Sequence, residues 1–252
     1  MARYFIELAY NGSKYHGWQI QPGAPTVQEE LNRALSTLLR EEIQVVGAGR
    51  TDTGVHASFY IAHFDSSQVL SDLEKIVYKL NRLTGKEIAI SALYPVEQDV
   101  HARFSALSRT YKYYIDKQKN PFTYPFAWKV FPIPDIQRMN EACKVLFEYT
   151  DFTSFSKLHT DVKTNNCTIF EAKWEDQDEQ LVFTIKANRF LRNMVRAIVG
   201  TLVDIGQGKI DIAGLRKIIA SRNRCSAGTS VPGHALFLCG IEYPPEVFKM
   251  KK

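Results

Sequence analysis

The sequence predicts a mixed α+β chain built from two halves of the same design, on three observations. Short apolar runs rich in β-type residues alternate with segments of helical periodicity. Their order up to Leu93 reads β-α-β-β-α-β, the split β-α-β arrangement of ferredoxin-like or RRM-like units. From Arg109 the same order returns with one additional helix, and the two halves share no sequence repeat. The 252 residues suit one large or two ordinary domains, here 1–106 and 107–252. Four strands in such a half make an antiparallel sheet with its helices on one face. The two halves then either join sheet edges or pack side by side, with a groove between them.

The first strand spans residues 4–10 and ends at Asn11-Gly12. An aromatic loop, Tyr15-His16-Gly17-Trp18-Gln19, follows. Thr26-Val27-Gln28-Glu29 is a capping box that opens a helix to Leu39, with Val27, Leu31, Ala34, Leu35 and Leu38 on its inner face. Strands are predicted at 43–48 and 57–64. A second capping box, Ser71-Asp72-Leu73-Glu74, starts a helix to Leu83, and a strand covers 87–93. In the second half, strands are predicted at 109–116, 168–174, 181–187 and 235–243. Helices are predicted at 135–147, 190–205 and 212–221, and a loop rich in proline and aromatics at 121–134.

Composition narrows the function classes. An apolar fraction of 45% can form a sizeable core, and a net charge of +5 suits a polyanionic partner. Arg103, Arg109, Lys112, Arg82, Lys79 and Lys86 are candidates for a basic groove, though most such charges are simply solvated. The four cysteines are widely spaced and read as reduced thiols. Arg3 and Glu7 interrupt the first apolar run, and no stretch reaches the ~18 apolar residues of a membrane span. A cytoplasmic protein is expected, with the basic end 249–252 solvated. The histidines, among them His16, His56, His101 and His159, lack metal-binding spacing. No phosphate-binding glycine loop is present, so neither a metal nor a nucleotide cofactor is expected.

One loop concentrates the chemistry. Gly47-Ala48-Gly49-Arg50-Thr51-Asp52-Thr53-Gly54-Val55-His56-Ala57 sets one carboxylate, Asp52, between two strands, with Arg50 beside it. Its glycines at 47, 49 and 54 allow unusual backbone angles and close approach. A plain turn explains Asp-Thr-Gly alone; a longer loop carrying Arg, Asp and His weighs as much for a site as for a turn. Arg192 and Arg196 share a face of the predicted 190–205 helix, and Arg196 interrupts an apolar run. It either carries its head out to water or needs a carboxylate, with Asp52, Asp204, Asp151 and Glu171 competing. Tyr111, Tyr113 and Tyr114 lie on one strand, where a tyrosine packs or stacks on a nucleobase.

The nonamer Gly49-Arg50-Thr51-Asp52-Thr53-Gly54-Val55-His56-Ala57 resembles the active-site motif of the TruA family of tRNA pseudouridine synthases. Further motifs in family order are Tyr10-Asn11-Gly12 with His16-Gly17-Trp18-Gln19, and His101-Ala102-Arg103-Phe104-Ser105-Ala106 with Arg109-Thr110-Tyr111. Asp151-Phe152-Thr153-Ser154-Phe155 and Phe190-Leu191-Arg192-Asn193-Met194-Val195-Arg196 continue the match. Near the last strand the family's Ala-Pro and Gly-Leu-aromatic-Leu give way to Val231-Pro232 and Ala235-Leu236-Phe237-Leu238.

The resemblance implies isomerisation of uridine to pseudouridine at positions 38 to 40 of the tRNA anticodon stem-loop, by a cofactor-free homodimer. It implies two ferredoxin-like lobes on an extended, mainly antiparallel sheet, with helices on one side and a basic cleft between the lobes. It assigns Asp52 as catalytic carboxylate and Arg196 as its partner. Arg50 fills the space left by the flipped base, Tyr111 stacks on that base, and Leu236 packs against it. The carboxylate has three routes: attack on C6, attack on C1′, or removal of the C2′ proton. Two rival classes are a non-catalytic tandem RNA-binding module and an aspartic peptidase. The peptidase needs two Asp-Thr-Gly copies in contact, and this chain has one.

Overall fold

The computed structural model describes residues 1–157 and 164–248. His159 and the basic end 249–252 lie outside them. The chain is mixed α+β, with mainly antiparallel strands and five α-helices among the described residues. It divides into two compact units: Met1–Ser108 together with the chain from Leu238 onward, and Arg109–Phe237.

In the first unit β1 (Ala2–Tyr10) is central, antiparallel to β3 (His56–Ser66) on one side and to β4 (Ile88–Val96) on the other. Beside β3 lies the end of β9 (Leu236–Glu242), and the two-residue β2 (Val46–Gly47) also pairs with β3. Phe5, Ile6, Leu8, Tyr60, Ile61 and Phe64 are among the buried residues of this sheet. Helix α1 (Val27–Leu39) starts where predicted, with the Thr26 hydroxyl accepting from Glu29 N–H at 3.4 Å. Such a cap is worth about 1 kcal/mol.

Two expectations are corrected here. The strand predicted at 43–48 shrinks to β2, because side chains of α1 take its backbone groups. Ile43 N–H donates to Ser36 Oγ (2.9 Å), Val45 N–H to Asn32 Oδ1 (2.9 Å), and Val45 O accepts from Gln28 Nε2 (2.7 Å). Helix α2 (Leu73–Leu83) is capped by Asp72 rather than Ser71, the Asp72 carboxylate accepting from Lys75 N–H at 3.2 Å.

His63 of β3 is buried, and its Nδ1 accepts from Ala102 N–H at 3.1 Å, with the His101 ring 4.6 Å away. Burial, with help from His101 and Arg3 and against Asp65, pushes this imidazole from 6.5 down to about 4. Protonation therefore favours the unfolded chain. The stability that neutral His63 contributes is complete above the unfolded value and is lost as pH falls through the folded one. An NMR titration of the His63 ring should show a midpoint far below an ordinary histidine's. An ordinary midpoint would contradict this assignment.

In the second unit β8 (Gln180–Ala187) lies between β5 (Ser108–Asp116) and β7 (Ile169–Gln177), antiparallel to both. Within the predicted 121–134 loop, β6 (Trp128–Lys129) runs parallel to β5. Helix α3 (Ile136–Leu146) is tied to β7 by Asn140, which bonds both backbone groups of Trp174 (2.8 and 3.0 Å). Helices α4 (Met194–Gly206) and α5 (Ile212–Ser221) follow β8. Every residue of α4 except Arg196 and Asp204 is buried.

The predicted start of that helix at Phe190 is a further correction. Asn193 takes a left-handed φ of 68°, and its side chain donates to Ser230 Oγ at 2.5 Å. Arg192 therefore precedes the helix and does not share a helical face with Arg196.

Candidate active site

In the first unit the Asp52 loop leaves β2 and returns through β3. It rests on an aromatic floor. Trp18 stacks on Tyr60 with ring centroids 4.2 Å apart, and Tyr10 meets Tyr60 edge-on at 5.5 Å. The Tyr60 hydroxyl donates to Gly49 O, and the Tyr10 hydroxyl bonds Thr51 Oγ1 at 2.9 Å. Gly47 is required for contact, since a Cβ there would stand 2.2 Å from the Tyr60 hydroxyl. Gly54 supplies a φ of 75°. A Cβ on Gly49 would meet nothing within 4 Å, so the Tyr60 hydroxyl's approach to its backbone does not require glycine there.

The chain after β1 also clasps this loop through hydrogen bonds. Gly12 N–H donates to His56 Nδ1 (3.0 Å), Trp18 N–H to Thr51 O (3.3 Å), and Gly54 N–H to Tyr15 O (3.3 Å). Val55 N–H closes the turn on Asp52 O at 3.1 Å. A Cβ on Gly12 would lie 2.0 Å from Val55 O, and one on Gly17 would lie 2.2 Å from Thr51 O. The outcome is a rigid backbone with Thr51, Val55 and His56 buried, Asp52 half-buried and Arg50 exposed. His56 acts through Nδ1 as an acceptor, so its neutral form holds the proton on Nε2. The structural roles of Gly12, Gly17 and His56 are invisible in the sequence, apart from their grouping into compact motifs.

In the second unit Arg196 is half-buried on α4. Its Nε donates to Val231 O at 2.7 Å, and Val231 N–H donates to Arg196 O at 3.3 Å. It is more than a head carried out to water. Three of the carboxylates weighed as its partners have cations of their own: Asp204 with Lys209 (2.9 Å), Asp151 with Arg222 (3.0 Å) and Glu171 with Lys173 (3.2 Å). On β5, Tyr113 is buried, whereas Tyr111 is half-buried with its ring 5.2 Å from Phe190, edge-on. Leu236 is buried at the start of β9. Thus Asp52 and Arg50 share one loop of the first unit, while Tyr111, Arg196 and Leu236 belong to the second.

Among the described residues no group of three or more His, Cys, Asp or Glu could hold a metal ion, and no helix is long and apolar enough to cross a membrane.

The chain matches the tRNA pseudouridine synthase family over residues 8–105 and 142–244. It is 56% identical over 251 residues to tRNA pseudouridine synthase A of Parabacteroides distasonis, with 100% of each chain covered. The enzyme of the same name from Bacteroides thetaiotaomicron is 57% identical over 251 residues, covering 98% of this chain and 93% of that one. The Bacillus subtilis enzyme of that name is 37% identical over 244 residues, covering 94% and 97%. With matches of this extent over both units, the chain belongs to the tRNA pseudouridine synthase family.

Proposed function

We propose that this chain isomerises uridine to pseudouridine in tRNA, at positions 38 to 40 of the anticodon stem-loop. The observation that carries the reading is the Asp52 loop, whose backbone is held by the chain after β1 and by Tyr60 while Asp52 itself is half-buried. The reaction breaks the N1–C1′ bond and forms a C5–C1′ bond. The C5 proton leaves and N1 gains one, so no atom is gained or lost and no oxidant is required. Asp52 supplies the carboxylate that severs the glycosidic link. Arg196 pairs with it and fixes its direction.

The target base must leave its stack, at a cost of a few kcal/mol. Arg50, exposed beside Asp52, occupies the space it leaves. Tyr111 stacks on the flipped base, a role that the buried Tyr113 is poorly placed to share, and Leu236 packs against it. In this reading the lobes 1–106 and 107–252 are ferredoxin-like, with helices on one side of an extended sheet and a basic cleft between them for the stem-loop. The enzyme works as a cytoplasmic homodimer.

Tritium release from tRNA carrying 5-tritiated uridine tests the activity, because forming the C5 link expels the C5 hydrogen. We expect one tritium released per uridine converted, and none when cytidine replaces uridine at 38 to 40. Bound tRNA without release would turn the reading into that of a non-catalytic RNA-binding module. Arg50→Ala should lower kcat/KM about a hundredfold on duplexed targets through poorer flipping. Equal loss on an unpaired target would remove that role.

A further inference from the structure

Arg196 is aimed by more than its own helix. The Val231 carbonyl that accepts from its Nε ends a strap, residues 227–231, laid along α4. Thr229 O lies so close to Gly200 that a Cβ there would stand 2.0 Å away, and Gly228 N–H donates to Thr201 Oγ1 at 3.0 Å. The Arg224 guanidinium reaches Gly228 O (3.2 Å) and Ser230 Oγ (2.7 Å), and Asn193 also holds Ser230. The next carbonyl along, that of Pro232, is held from β5: the Tyr113 hydroxyl donates to it at 3.1 Å. Two successive carbonyls, the last of the strap and that of Pro232 just beyond it, thus face Arg196 and Tyr113.

We propose that Tyr113 is a positioning residue for Arg196, holding the Val231-Pro232 segment so that the Val231 carbonyl presets the direction of the guanidinium. The proposal rests on the reading of Arg196 as partner of the catalytic carboxylate. A long arginine side chain loses rotamer freedom when it is aimed, and an acceptor already in place reduces that cost. The Tyr113 ring is packed edge-on to Trp128 at 6.4 Å, in an interior where its hydroxyl needs a partner. Pro232 O provides one. Burial raises the Tyr113 phenol and the Arg196 charge opposes that rise, in keeping with the two groups being neighbours.

Tyr113→Phe keeps the ring and removes only the hydroxyl. The first readout is exchange of the Arg196 Nε–H in the free, isotope-labelled protein. We expect about tenfold faster exchange, and a kcat about tenfold lower, with KM for tRNA changed less than about twofold. In an Arg196→Lys background, which lacks that Nε–H, Tyr113→Phe should lower kcat no further. Unchanged exchange in a variant that melts like the parent overturns the proposal. Independent, multiplying losses of kcat in the double variant overturn it too. The exchange readout needs no turnover. Faster exchange in a protein that releases no tritium upholds the positioning and refutes the isomerase reading instead.

Discussion

Asp52→Asn should abolish tritium release from 5-tritiated tRNA while tRNA binding persists. The substitution preserves size and shape and removes only the charge that makes the group a nucleophile or base. The loop backbone is held by Tyr10, Trp18, Tyr60 and the Gly12–His56 bond, none of which uses the carboxylate. Folding should therefore survive, and circular dichroism melting should differ little from that of the parent. Loss of an indispensable catalytic group typically lowers kcat by roughly 10⁴-fold or more. Affinity for tRNA comes mainly from phosphate contacts, so Kd should stay within about threefold. Release at even a tenth of the parental rate would remove Asp52 from its role.

Gly17→Ala should damage the same site from a distance. Gly17 has a φ of +91°, and an added Cβ would stand 2.2 Å from Thr51 O, within the backbone that carries Asp52. Left-handed strain and overpacking together cost roughly 3 kcal/mol. For a chain of this size that lowers Tm by about 10 °C. The Thr51-Asp52 peptide can relieve the clash only by shifting, and a misplacement of about 1 Å can reduce kcat a hundredfold. Gly23→Ala serves as the control. Gly23 has a φ of +70° with nothing within 4 Å, so it carries the strain without the clash. If both variants lose kcat equally, the clasp is not what holds Asp52.

The parts of this protein legible in the sequence are those set by neighbouring residues. The periodic apolar face and Thr26 cap of α1 are local signals, and α5 occupies 212–221 as its pattern predicts. The loop carrying Asp52 stood out by composition, and Arg196 by being a cation in an apolar run. The misread parts depend on partners far along the chain. The strand at 43–48 was lost to α1 side chains, whose bonds replace a strand neighbour. The first turn of the 190–205 helix was lost because Asn193 bends the backbone and bonds Ser230, 37 residues on.

The candidate site divides the same way. Residue type nominated the candidates, since a carboxylate in a glycine-rich loop and a guanidinium in an apolar run stand out wherever they fold, and the family resemblance gave them their proposed roles. How each is held came only with folding. Gly12 and Gly17 matter because Val55 O and Thr51 O lie against them, and the Val231 and Pro232 carbonyls meet Arg196 and Tyr113 only once distant segments are brought together. Close approach between segments distant in sequence leaves no periodicity, and hydrogen bonds to backbone carbonyls select for position rather than residue type.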